Sequence, residues 1–215
     1  MNASSPVCLL CQSSSTEDYY LDTRQYWQCG DCDLVFVASS EHLSEAEEKS
    51  RYDFHENNPE DLGYRKFLNR LIKPLSERLS PGSSGLDFGC GPGPTVSVML
   101  EDLGHTMACY DKYYAPDPVV LDTPYDFITS TEVLEHLRSP GEEVSKLMQM
   151  LKPGGYLGVM TKLTPSKSDF ANWHYKKDPT HICFYSESTF EWVAEQWKLS
   201  IEILDTDVVI LQSGN

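Results

Sequence analysis

The chain has 215 residues, 40% of them hydrophobic and 23% charged, with a formal net charge of −16 at pH 7. That length holds one α/β domain and a small appendage. No apolar run reaches the roughly 18 residues of a membrane span, and Met1–Pro6 lacks the basic-then-apolar layout of a signal peptide, which predicts a soluble, cytoplasmic protein. The acidic balance repels polyanions, so nucleic acid is disfavoured as a partner.

Four of the seven cysteines come first, as Cys8-x-x-Cys11 and Cys29-x-x-Cys32, with seventeen residues between the pairs. Two such pairs can set four thiolates around Zn²⁺, Gly30 supplying the glycine a knuckle turn favours. Two disulfides or unpaired thiols are the competing readings. A closed site with no open position makes the metal structural, holding together a zinc knuckle module over 1–40 that is too small to bury its own core. A connector follows over 41–80. Its Ser44-x-x-Glu47 spacing suits a capping box, and Tyr52–Pro59 suits a lid over a pocket. Between Asp61 and Leu79, Phe67, Leu68, Leu71, Ile72, Leu75 and Leu79 recur at helical spacing, with Lys66, Arg70 and Lys73 sharing another face.

The main domain is expected over 81–215. Gly85-Leu86-Asp87-Phe88 reads as a strand that opens into Gly89-Cys90-Gly91-Pro92-Gly93, followed by a helix from Thr95 to Leu103. Glycines let backbone lie close against a ligand, and the following helix offers unpaired N–H groups. A dinucleotide fingerprint would need glycine where Pro94 stands, so that reading loses its helix-packing residue. Thr106–Tyr110 reads as a second strand. Asp111, twenty residues beyond Gly91, is placed to accept both hydroxyls of a ribose held at the glycine turn. Only thirteen residues, Lys112 to Pro124, lead to the next strand, and Pro116, Pro118 and Pro124 are among them. The second crossover helix is therefore expected to be reduced to a loop, with Val119–Leu121 a short strand at most and Asp122 a candidate adenine contact.

Tyr125–Ser130 is a strand running into Thr131-Glu132-Val133-Leu134-Glu135-His136-Leu137. This run resembles motif IV of the class I S-adenosylmethionine (SAM) methyltransferases. Asp87 with Gly89-x-Gly91-x-Gly93 resembles their motif I, and Leu151-Lys152-Pro153-Gly154-Gly155 resembles the turn before their fifth strand. The resemblance covers about Gly85 to Lys162 in the correct order. It implies a doubly wound, Rossmann-like sheet of seven strands, from which the expected reduced second crossover is a departure, and a cofactor pocket formed by Asp87, Gly89, Cys90, Gly91, Asp111, Lys112, Thr131 and Glu132. The E-x-x-E-H turn is similar to that of ubiquinone-pathway O-methyltransferases and of plant-type small-RNA 2′-O-methyltransferases. That implies either a divalent cation on Glu132, Glu135 and His136 with His181 as fourth ligand, or a metal-free brace for the cofactor. The zinc module followed by this domain also resembles the first two parts of sugar C-methyltransferases.

After a helix over Glu142–Met150 and a strand over Tyr156–Lys162, the loop from Phe170 to Tyr185 should overhang the reacting centre. Imidazoles can take a proton near neutral pH, which makes His174 and His181 candidate bases, with Tyr175 and Trp173 walling off water. A capped helix over Ser186–Trp197 and a hairpin of Leu199–Leu204 with Val208–Leu211 close the chain. The expected activity is SAM-dependent methylation of oxygen or carbon on a small-molecule acceptor. The alternatives are a non-catalytic SAM-fold protein docking a partner through its zinc module, and metal-assisted 2′-O-methylation of RNA.

Overall fold

The fold comes from a computed structural model that describes residues 5–54 and 57–214. His55 and Glu56, inside the expected lid, lie outside the described residues. The chain begins with a hairpin of β1 (Thr16–Leu21) and β2 (Gln25–Cys29), joined by β3 (Val35–Val37). Two helices follow, α1 (Glu45–Tyr52) and α2 (Leu62–Ser76). Ser44 and Glu47 form the expected capping box on α1. The carboxylate of Asp61 caps α2 by accepting from the N–H groups of Gly63 and Tyr64.

The main sheet then builds in the order dictated by its switch point. β4 (Ser84–Phe88) leads through α3 (Thr95–Glu101) to β5 (Thr106–Tyr110), which pairs parallel on one side of β4. The chain crosses back to β6 (Tyr125–Thr131), parallel on the other side of β4. Next come α4 (Pro140–Met150), β7 (Leu151–Met160), the one-turn α5 (Lys167–Phe170), β8 (Cys183–Phe184), α6 (Glu187–Trp197), β9 (Ser200–Asp205) and β10 (Val208–Gln212). Strand order in the large sheet is β5-β4-β6-β7-β10-β9, the last two antiparallel.

Among the described residues the large sheet has six strands where the resemblance implied seven. Val119–Leu121 lies in a 3-10 turn, Pro118–Asp122, capped by Asp117. Proline fixes φ and removes ladder donors, so three prolines in thirteen residues leave no strand there. β7 starts earlier than expected, at Leu151, and an irregular register opposite Tyr125 and Phe127 absorbs the left-handed Gly154 (φ 75°).

Alternate residues of the central strands face two cores, as the pleat requires. Phe127, Met160, Val208 and Ile210 pack with Leu68, Leu71, Ile72, Leu75 and α3. Ile128, Leu157, Val159, Val209 and Leu211 face the opposite way, into one cluster that also holds Val35, Phe36 and Val37 of the N-terminal strands. The small sheet is composite, because β8 pairs with β3 through Phe36 and Cys183 and through Val35 and Phe184. Gly141 of α4 sits directly under the cysteine segment: a Cβ there would lie 2.2 Å from the Leu10 carbonyl oxygen. Backbone cannot yield as a side-chain tip can, so Gly141→Ala should destabilise by about 1–3 kcal/mol. Urea unfolding would register this as a lower midpoint with an unchanged slope.

Candidate functional site

The carboxyl ends of β4, β5 and β6 open onto a cavity of about 540 Å³. Its floor is the turn after β4. Gly89 (φ 80°) and Gly91 (φ 63°) take left-handed backbone that side-chain-bearing residues rarely adopt. A Cβ on Gly89 would press 2.3 Å from a Val133 methyl, and one on Gly91 would meet the Asn57 amide at 2.8 Å. The N–H groups of Gly89 and Cys90 both donate to the Tyr110 carbonyl, tying the turn to the end of β5.

Asp111 braces the same turn from the neighbouring strand. One carboxylate oxygen accepts from the Gly91 N–H at 3.1 Å, and the other from the N–H groups of Tyr113 and Tyr114 at 2.8 and 3.1 Å. Two oxygens offer about four lone-pair sites, so acceptor capacity remains for a ribose. Asp87 lies beneath the turn, accepts from the Thr129 hydroxyl at 2.9 Å, and is pushed up to about 7 by burial, against that hydrogen bond. Lys112 lines the cavity, its ammonium 3.5 and 3.6 Å from the Glu45 and Glu48 carboxylates. Asp122 is not among the residues lining the cavity.

Thr131 and Glu132 form the opposite wall. Glu132 is itself left-handed (φ 55°), its N–H tied to the Met160 carbonyl at 2.7 Å. One of its carboxyl oxygens accepts from Tyr175 at 3.2 Å, whereas Oε1 is buried without a hydrogen-bond partner. Strained backbone carrying an orphaned buried oxygen is costly, and both features concentrate at working sites. The Tyr175 hydroxyl also donates to Glu135, so one phenol links two carboxyl groups. Burial first, and Glu135 second, push Glu132 up to about 8; burial pushes Glu135 up to about 7, against the Tyr175 hydrogen bond.

Both candidate imidazoles beside them are pinned in one tautomer. His136 Nδ1 lies 3.1 Å from the Thr180 carbonyl oxygen and His181 Nδ1 lies 2.7 Å from that of Tyr175. A carbonyl only accepts, so each Nδ1 carries the proton and each Nε2 is left as an acceptor. The rings stand 4.7 Å apart. Ligand atoms of Glu135, His136 and His181 lie within 4.8 Å of one another, a grouping able to hold a divalent cation. Glu132, expected among those ligands, is outside the group. Burial lowers His136, and burial together with His136 pulls His181 down to about 3.

The two histidines expected as bases part company here. His181 lines the cavity, while His174 is exposed on a 3-10 turn, its Nε2 3.0 Å from Lys162 Nζ and away from the cavity. Trp173 lies in the wall of a separate cleft, its ring tilted against that of Tyr175 with centroids 5.2 Å apart. Of the cationic face expected on α2, Arg70 pairs with Asp205 and Asp207, and Lys66 and Lys73 are exposed. The near wall is formed by Tyr52, within the expected lid segment, together with Glu48, Tyr64, Tyr113 and Tyr114, which sequence reasoning missed. Buried Glu48 pairs with Arg138 at 2.9 Å, so α1 covers the cavity rather than merely connecting domains. The aromatic pair Tyr113-Tyr114, directly after Asp111-Lys112, was the signal available.

In the N-terminal sheet, the four sulfurs of Cys8, Cys11, Cys29 and Cys32 lie within 4.8 Å of one another, and all four cysteines are free thiols. The two knuckles match. The N–H of Gln12 donates to the Cys8 carbonyl and that of Asp33 to the Cys29 carbonyl, and each of these residues has φ 61°. The left-handed positions thus follow the second cysteine of each pair. Gly30 serves a different need, since a Cβ there would meet the Ser15 hydroxyl at 2.8 Å. Four clustered thiols with no open side suit a closed tetrahedral metal site.

A crevice at the switch point of a parallel sheet, floored by a glycine turn and flanked by a strand-end carboxylate, defines an α/β protein built to hold a nucleoside-bearing cofactor. Residues 61–202 match the methyltransferase domain family, and the chain belongs to it. A mitochondrial ubiquinone biosynthesis O-methyltransferase of Schizosaccharomyces pombe is 30% identical over 105 residues, 37% of this chain and 38% of that protein. A 2-methyl-6-phytyl-1,4-hydroquinone methyltransferase of Synechocystis is 22% identical over 144 residues, covering 56% of this chain and 42% of its own length. The matches therefore span less than half of either curated relative. Among solved structures, the 1,6-didemethyltoxoflavin-N1-methyltransferase of Burkholderia thailandensis shares the fold, with TM-score 0.54 at 13% identity over 93% of this chain and 100% of that one.

The family implies SAM, and the cradle fits it: the floor lies where added Cβ atoms would intrude, and Asp111 keeps acceptor capacity beside it. Asp111→Ala should weaken S-adenosylhomocysteine binding at least about tenfold by calorimetry, because it removes both the turn's brace and a charged acceptor.

Proposed function

We propose that this chain transfers the methyl group of SAM to an oxygen or carbon of a small hydroxylated acceptor. The observation that carries this reading is the juxtaposition, in one cavity, of the glycine turn, Asp111 and the orphaned Oε1 of Glu132. SAM, when bound, supplies a methyl carbon on a sulfonium that already is a good leaving group. The chain's own work is alignment and removal of one proton. The Gly89–Gly91 turn, whose missing side chains let the ligand lie against bare backbone, and the Asp111 carboxylate hold the nucleoside end. The tyrosines of the near wall exclude water. Glu132 takes the proton from the attacking hydroxyl, with Tyr175 holding the other carboxyl oxygen still.

This reading moves the base from the histidines to Glu132. His174 stands away from the cavity, and His181, pulled down to about 3, is a poor proton acceptor. A carboxyl pushed up to about 8 has the basicity that general-base work near neutral pH calls for. Only its ionised form accepts a proton, so turnover should climb with pH and level off above about 8. Glu132→Gln should lower methyl-label transfer into a metabolite extract by about 100-fold or more while S-adenosylhomocysteine binding persists. Unchanged transfer would remove the base assignment.

A second reading is favoured by the paired Nε2 atoms: a divalent cation on Glu135, His136 and His181 would orient the acceptor oxygen. The cysteine cluster, by contrast, is read as a structural zinc site. Metal analysis after dialysis against a weak chelator should return about one zinc per chain, lost with a fall in thermal midpoint in Cys29→Ser. A second equivalent that disappears in Glu135→Ala would support the cation reading.

A further inference from the structure

The tip of the β1–β2 hairpin carries one side chain that reaches into the catalytic half of the molecule. Arg24 donates from Nη1 to the carbonyls of Pro179 and His181, at 3.1 and 3.0 Å. From Nη2 it donates to those of Lys176 and Asp178, at 2.6 and 3.1 Å. Its Nε and Nη2 also point at the Tyr26 hydroxyl, at 3.3 and 3.2 Å, and that hydroxyl donates to the Lys176 carbonyl at 3.1 Å. Four carbonyls of one six-residue loop thus converge on a single guanidinium. The loop folds around the cation.

Its flanks are locked to the same hairpin. Lys176 is only 3% exposed, pairs with Asp22, and lies over the rings of Tyr20 and Tyr26, at 4.8 and 5.5 Å from their centroids. Within this loop Asp178 and His181 line the cavity, and Tyr175 and Thr180 bond to residues of its wall. Tyr175, immediately before the clamped carbonyls, links Glu132 to Glu135. His181 is the last clamped residue, and the Thr180 carbonyl inside the clamp sets the tautomer of His136. Arg24 itself is not among the residues lining the cavity.

From this convergence we infer that Arg24 is a positioning residue: the cysteine hairpin, through its guanidinium, sets the acceptor side of the site while leaving the cofactor side to the main sheet. The inference rests on the proposed methyl transfer only for its activity arm. A lysine cannot replace the clamp, because an ammonium presents a point charge with three donors where the guanidinium offers five in a rigid planar fork. The cysteine cluster gains a consequence, since whatever orders the hairpin also orders Tyr175 and His181.

Hydrogen exchange on the full-length chain tests this without a known acceptor. In Arg24→Ala and in the milder Arg24→Lys, amides of residues 174–182 should exchange at least tenfold faster than in wild type, those of 84–95 should not change, and S-adenosylhomocysteine affinity should stay within about twofold. Methyl-label transfer into a metabolite extract should fall at least tenfold. Unchanged exchange over 174–182 overturns the inference, and so does a rise that spreads equally to 84–95, which would make Arg24 a general stabiliser. A loosened loop with transfer intact also overturns it. If wild type itself transfers no label, the proposed activity fails, and the exchange comparison still decides the clamp.

Discussion

The parallel pairing of β4 with both β5 and β6 is the constraint on which the rest depends. Once the chain leaves one central strand for a neighbour on either side, the two connections must part at the strand's carboxyl end, and a crevice opens there. The sequence meets that opening with backbone able to line it, as Gly89 and Gly91 bend where a side chain would strike Val133 or Asn57. Asp111 then arrives at the tip of β5 by register, since Phe88 pairs with Tyr110. The cavity floor is therefore set by three strands, with α1 and α2 supplying its near wall.

The acceptor side is built differently. Glu132 leaves β6 in a left-handed turn, Tyr175 reaches it from a loop more than forty residues on, and that loop is held by a hairpin from the first thirty residues. The parallel sheet holds Glu132 alone among these pieces, through its N–H to the Met160 carbonyl. The composite small sheet joins them, with β8 returning to pair with β3 and the Ile182 N–H donating to the Glu135 carbonyl at 2.8 Å. Two halves of the site are thus stabilised by two different sheets. The acid-rich wall keeps its carboxyl groups apart from water, and burial raises Glu132 and Glu135 toward neutrality.

Much of this was legible in the order of residues. Strands, the glycine turn, Asp111 and the prolines that erase a crossover are local signals, each decided by a few neighbours. The cysteine spacing was equally plain, though Gly30 was read as the glycine a knuckle turn favours, whereas the left-handed residues of the knuckles are Gln12 and Asp33. What stayed hidden was long-range. His174 and His181 share one loop, and only its packing turns one outward and the other inward. Arg24 reads as an ordinary turn cation until carbonyls more than 150 residues away close on it. β8 is two residues long and has no pattern of its own.

The most direct test of the account is a crystal structure of the complex with S-adenosylhomocysteine. The adenosine should lie over the Gly89–Gly91 turn with a ribose hydroxyl on the remaining acceptor site of the Asp111 carboxylate, and the sulfur should face the unpartnered oxygen of Glu132. A ligand bound elsewhere, or one in this crevice with its sulfur turned from Glu132 toward the protein surface, would contradict it.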